Sequence, residues 1–328
     1  MRRLALLTAA WIAVLPTNAR SQTSEDLNKS NPRIIRSVEN MLHSLVNHVF
    51  IPTIKAQKPE YLRTLRTIRI VVQDDALPEA RAYFSRGRRY VEFNTGIGAV
   101  TQLYINYAAI RTGLASEHNS RCKTYVDYLA EKIVQMRAVR SQGTYPSRFF
   151  WHHVEKPDTF CGVSHLDLDT RIGALSEQIA RDTEHAVYAL IFGHELGHHI
   201  LGHLPIKRGE TPQQSRLMEA EADRFAARLI GRHMIRAYAA VIFDLLARTR
   251  TQHPFAQYAT HDPAECRMAY LLSIDQMFFG SATGLNIVKT IVGQRIDIRE
   301  RIPYLAKFIA DIEITTDRTR ASKCEIVN

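Results

Sequence analysis

An α+β fold, mainly helical with a small sheet, follows from three features of the chain. Apolar residues recur at helical spacing over most of the sequence beyond residue 96. A β-branched run, Thr67-Ile68-Arg69-Ile70-Val71-Val72, and two short segments flanking Arg86-Gly87-Arg88 read as strands gathered ahead of that helical stretch. The length of 328 residues is enough to bury a sizeable core, in one large domain or two small ones.

In chain order, residues 22–33 are polar and read as a flexible segment, and an amphipathic helix is expected over 34–50, stopped near Pro52. Residues 67–72 form a strand, and residues 80–84 and 90–93 form a hairpin about Gly87. Helices follow over 97–112 and 122–139. Residues 141–170 mix Gly, Pro, Ser and Asp without a steady period, and a long loop is expected there. A helical stretch over 171–203, a polar link over 204–214 and a second helix over 215–248 come next. Further helices are expected from Pro263 to near residue 279 and over 286–312, the latter with a break at Pro303.

The first residues have a separate logic. Met1-Arg2-Arg3 is basic, residues 4–16 are almost wholly apolar, and Thr17-Asn18-Ala19-Arg20-Ser21 is small and polar. This is the layout of a secretory signal peptide cleaved after Ala19 or Ser21. Its apolar run falls short of the roughly 20 residues that span a bilayer. No long uncharged apolar run follows, so the mature chain is expected to carry no integral membrane segment and to be periplasmic or secreted. The expected division is a signal peptide over 1–21, a flexible segment and helix over 22–60, a main domain over 61–315 and a tail over 316–328.

The formal charge is +10, but the basic residues, among them Arg63, Arg66, Arg69, Arg86, Arg88 and Arg89, are scattered. A solvated basic face is expected over an anionic partner, and no motif points to nucleic acid. Four cysteines, Cys122, Cys161, Cys266 and Cys324, lack the spacing of a zinc site. In an oxidising compartment they permit three pairings. Cys122 with Cys161 and Cys266 with Cys324 closes the shorter loops; free buried thiols are the alternative.

His194-Glu195-Leu196-Gly197-His198 has the pattern His-Glu-x-x-His. Residues four apart on a helix differ by about 40° in azimuth, so both imidazoles share one face and can reach one tetrahedral ion. Glu195, one step on from His194, can flank that ion and take a proton from water without being a ligand. A catalytic zinc needs a third protein ligand and an open position. Glu219 in Glu219-Ala220-Glu221-Ala222-Asp223 is the candidate, with Asp223 on the same face to hydrogen-bond a ligand histidine. Glu221 points about 200° away from Glu219. A solvated acidic stripe is the bland reading of this helix. His203 does not satisfy the metzincin spacing, since Leu201 and Leu204 occupy the positions that pattern needs. His199 points about 100° from His198 and is expected to be structural or hydrogen-bonded.

These residues resemble gluzincin metallopeptidases of the HtpX and CAAX-prenyl-protease type, whose His-Glu-x-x-His is followed by Glu-x-x-x-Asp, matched by His194–His198 and Glu219–Asp223. Thr260-His261-Asp262-Pro263-Ala264-Glu265-Cys266-Arg267 is similar to the His-x-Pro-x-x-x-Arg segment of that family, and residues 68–93 are similar to its small sheet. The likeness covers roughly residues 60–280 and points to the soluble, exported branch. The gap from His198 to Glu219 is short for the family and similar to that of the smaller ImmA-type regulatory proteases.

The resemblance implies a zincin-like metallopeptidase domain over 61–315 holding one Zn²⁺ per chain. It implies cleavage of protein or peptide substrates, a role in cell-envelope protein quality control and an envelope protein partner. It offers His261 and Arg267 as catalytic groups stabilising an oxyanion, with Tyr258 as a further candidate. His261 has two alternatives: it caps the helix near Pro263, or it occludes the zinc. Strand 90–93 is the expected edge for pairing an extended substrate. Three rival functions stand beside the endopeptidase: a non-catalytic zinc-stabilised protein-binding module, a zinc hydrolase of non-peptide bonds and an ImmA-type regulatory protease.

Overall fold

A computed structural model describes residues 31–113, 120–163, 173–204 and 211–230. Among them the protein is mainly helical with one three-stranded sheet. The expected signal peptide, the helices beyond residue 230, the C-terminal tail, Cys266 and Cys324 lie outside the described residues.

Helix α1 (Pro32–Leu45) starts where the Asn31 side chain accepts a hydrogen bond from the Arg33 amide at 3.1 Å, with Pro32 at the first helical position. The expected stop near Pro52 does not occur. A π-helical turn (Val46–Phe50) leads into α2 (Ile51–Gln57), and the Ile51 amide donates to the Val46 carbonyl five residues back. The wider turn places Pro52 in the first turn of α2, where its missing N–H costs nothing. The Thr53 hydroxyl occupies the Val49 carbonyl at 2.7 Å. A 3₁₀ turn and the short α3 (Leu62–Leu65) complete this arm.

Strands β1 (Ile68–Gln73), β2 (Ala80–Ser85) and β3 (Arg88–Asn94) form a sheet in the order β1-β3-β2. β1 lies parallel to β3, with Ile70 opposite Val91, and β2 lies antiparallel, with Tyr83 opposite Tyr90. Arg86 and Gly87 have φ of 50° and 74°. These are the two left-handed residues of the tight turn that matches strand twist. β3 is therefore the central strand, which corrects the expectation that residues 90–93 form an edge; the edges are β1 and β2. A strand can be central without being central in sequence, because the β2–β3 hairpin lays β3 beside β1.

Helices α4 (Gly96–Gly113), α5 (Ser120–Lys123) and α6 (Tyr125–Ser141) follow. The single helix expected over 122–139 is divided at Thr124, whose hydroxyl donates to the Arg121 carbonyl at 2.8 Å. The loop expected over 141–170 contains order: a 3₁₀ turn (Arg148–His152) and α7 (Pro157–Cys161). Tertiary contacts supply it, since the Trp151 indole donates to the Ala76 carbonyl at 2.6 Å and Cys161 is bonded to Cys122. That disulfide is the shorter-loop pairing expected. Two long helices, α8 (Gly173–Ile200) and α9 (Pro212–Ile230), carry the motifs.

Two apolar cores result. One gathers α4, α5, α6, α7 and Trp151; the other gathers α1, α2, the sheet, the motif end of α8 and α9. Phe93 of β3 stacks on Tyr188 of α8 with ring centres 4.9 Å apart, seating α8 on the sheet.

Candidate metal centre

Helices α8 and α9 approach closely because small residues face each other at four-residue spacing. A Cβ on Gly197 would lie 3.1 Å from the Ala222 Cα and 3.3 Å from its Cβ; one on Gly193 would lie 3.3 Å from both carbons of Ala226. Phe225 and Leu229 pack beside this seam into the core with Leu196 and Phe192. The close contact lets the short carboxylates of α9 reach the imidazoles of α8.

The result is a buried group of His194, His198 and Glu219 that could hold a metal ion, with ligand atoms all within 4.8 Å of one another. His194 Nε2 stands 3.1 Å from Glu219 Oε2, and His198 Nε2 stands 3.4 Å from Glu219 Oε1. The two Nε2 atoms are 3.1 Å apart. Asp223 Oδ1 lies 2.8 Å from His194 Nδ1. Glu219 is thus on the face toward the imidazoles, and Asp223 sits behind His194, the two positions the four-residue spacing predicts.

The chemistry of these atoms asks for a cation. An ionised carboxylate only accepts, so the hydrogen between His194 and Asp223 is on Nδ1, and in the neutral imidazole His194 Nε2 presents a bare lone pair. That lone pair faces Glu219 Oε2, another acceptor. A single hydrogen on His198 Nε2 would relieve one of the contacts and leave the rest. Ligands 2.0–2.1 Å from one tetrahedral ion stand about 3.3 Å apart, and the three observed separations cluster around that value. The residues present therefore fit a metal ion.

Glu195 follows His194 on α8 and is half-buried. His199 is structural, as expected. Its Nε2 donates to the Tyr90 carbonyl of β3 at 2.8 Å, and burial pushes the imidazole below its ordinary pKa. Among the described residues His199 Nδ1 finds no partner. Tyr258, His261 and Arg267 lie outside the described residues.

Two groups escape the motif spacing. His203 Nδ1 is 3.1 Å from His198 Nδ1, and His203 Nε2 is 3.0 Å from Glu221 Oε2. The metzincin template rejects His203 as a ligand, and helical azimuth takes Glu221 away from Glu219; both exclusions hold, yet the two residues meet behind His198. The available signal was Gly202-His203 at the end of a helix, where a left-handed glycine turns the next residue back over the last turn. Among the described residues no helix is long and apolar enough to cross a membrane. No family model, no curated protein and no solved structure matches this chain, so the site rests on its own geometry.

Proposed function

We propose that the chain is an exported zinc-dependent endopeptidase with a zincin-like domain, with His194, His198 and Glu219 as ligands and Glu195 as general base. The observation that carries this reading is the meeting of His194, His198 and Glu219 within 4.8 Å of one another, with Glu195 following His194 in the chain. A structural zinc prefers four protein ligands, whereas a hydrolytic one keeps a position for water. Two imidazoles and a carboxylate suit zinc among the common divalent ions. When bound, the ion supplies Lewis acidity that brings a coordinated water into the range where a carboxylate can deprotonate it.

The chain's own residues do the rest. Asp223 holds His194 in the ligating tautomer. Glu195 accepts the water proton and returns it to the leaving amine, a general acid–base role. Tyr258, His261 and Arg267 are the candidates to stabilise the oxyanion. Substrate backbone pairs along β2, since among the described residues β2 is bonded only to β3 and packs on α8. Such pairing reads an extended chain without demanding its sequence. The Cys122–Cys161 disulfide supports export, because such bonds persist in oxidising compartments. Envelope protein quality control is the corresponding role.

Metal analysis and digestion of an unfolded protein substrate test the reading. One zinc per chain and chelator-sensitive cleavage are expected. Glu195→Gln should retain zinc and lose about 10²- to 10⁴-fold in kcat/KM. Equal cleavage by the variant and wild type would remove the enzyme claim and leave a metal-stabilised binding module.

A further inference from the structure

The two ligand histidines are supported differently. His194 leans directly on Asp223, whereas His198 leans on another imidazole that in turn meets a carboxylate. His203 is 8% exposed. Its rings and those of His198 have centres 5.2 Å apart at an interplanar angle of 68°. Both nitrogens of His203 are occupied away from the pocket, so it is not a fourth ligand.

The end of α8 builds this contact. Gly202 adopts φ of 79°, and the His203 amide donates to the His198 carbonyl at 2.9 Å. This is the six-to-one bond of a Schellman cap, which folds the residue after the glycine back over the final turn. An apolar pair commonly fills that contact; here two imidazoles do. Glu221 comes from a flank of α9 turned about 200° from Glu219. One helix therefore sends Glu219 to the pocket, Asp223 to His194 and Glu221 to His203.

Hydrogen placement follows from the partners. Glu221 accepts, so a neutral His203 carries its hydrogen on Nε2 and presents a bare Nδ1. His198 must then donate from Nδ1, which leaves His198 Nε2 as a lone pair facing the pocket. The order of groups sets the tautomer of a ligand two links away from the carboxylate.

We propose that His203 is a positioning residue for the metal ligand His198, with Glu221 orienting His203, so that the pair sets metal affinity. The proposal rests on the reading that His194, His198 and Glu219 hold zinc. It assigns a task to the His203 side chain that neither packing of the helix end nor catalysis requires.

Zinc affinity of the purified full chain, measured by competition with a chromophoric chelator, tests it. His203→Leu, which keeps bulk and removes the acceptor, should weaken zinc binding about 10- to 100-fold. It should also alter the visible absorption of the cobalt-substituted protein. His203→Asn returns a carbonyl oxygen near the Nδ1 position and should recover most of that loss. Glu221→Ala, at a carboxylate whose side chain is 44% exposed, leaves the fold intact if His203→Leu does not fold, and should weaken zinc several-fold. Wild-type affinity in His203→Leu, or in Glu221→Ala where the leucine variant does not fold, overturns the proposal. An asparagine variant as weak as the leucine one also overturns it, since hydrogen-bond acceptance is then irrelevant. Absence of zinc binding by the wild type is a distinct result, which removes the metal reading and this proposal with it.

Discussion

Around α5, α6 and α7 the chain is held by a covalent bond between Cys122 and Cys161 and by a cluster of rings. Tyr125 stacks on Tyr107 at 5.5 Å and meets Phe160 edge-on at 5.0 Å. Around α8 and α9 the described residues offer no such tie. The helices meet through Gly193, Gly197, Ala222 and Ala226, and acceptors converge from both sides. The first region satisfies its own contacts. The second gathers two imidazoles and a carboxylate that could hold a metal ion. The difference teaches where each region's geometry comes from: connectivity in one, and close backbone approach of two helices in the other.

Removing the covalent tie gives the largest expected effect on stability. For a separation of 39 residues, chain entropy makes the double Cys122→Ser, Cys161→Ser variant about 4 kcal/mol less stable, read by urea unfolding. Zinc affinity should stay at the wild-type level. If zinc binding fell along with stability, the two regions would not be independent, and the comparison would break.

The converse change is Gly197→Val, which inserts side-chain atoms between α8 and the Ala222 backbone. Overpacking of this kind costs about 1–3 kcal/mol, less than the disulfide, yet zinc affinity should collapse because Glu219 moves away from the imidazoles. Gly193→Ala, one turn further from His198, should do less on both counts. A valine variant with normal zinc affinity would show that close helix approach does not position the site.

The smallest effect lies on the seam between the regions. Tyr188 stacks on the sheet and donates its hydroxyl to Glu184, with both set against Gly98 of α4. Burial raises the Glu184 carboxyl above its ordinary value of 4.5, an effect opposed by Arg148 and by the Tyr188 hydroxyl. An acid raised in the folded state contributes stability that is full below its unfolded pKa and lost as pH rises through the folded one. Glu184→Gln should therefore gain in melting temperature relative to wild type between pH 4 and pH 8. A difference independent of pH would show that this carboxyl ionises in the fold without penalty.

Much of this architecture is legible in residue order. The hairpin announces itself because Arg86-Gly87 interrupts two alternating segments, and the left-handed turn admits few other sequences. The candidate metal donors are equally visible, since a four-residue period on a helix sets two side chains on one face. The continuation from α1 through a π turn into α2 at Pro52 was not legible, because the buried Phe50 and Ile54 that flank it find their packing partners outside the local sequence. Order in residues 148–161 was hidden for a similar reason. Trp151 and Cys161 are tied to residues 75 and 39 positions away.

By itself the sequence determines which side chains can share a face: His194 with His198, and Glu219 with Asp223. That follows from helical repeat alone, a property of local covalent geometry. Only the tertiary structure decides that the two faces meet, that β3 lies inside the sheet and that His203 and Glu221 close behind His198. Those outcomes depend on distances between segments far apart in the chain. Such distances are set by what packs between the segments, and at Gly193 and Gly197 nothing does.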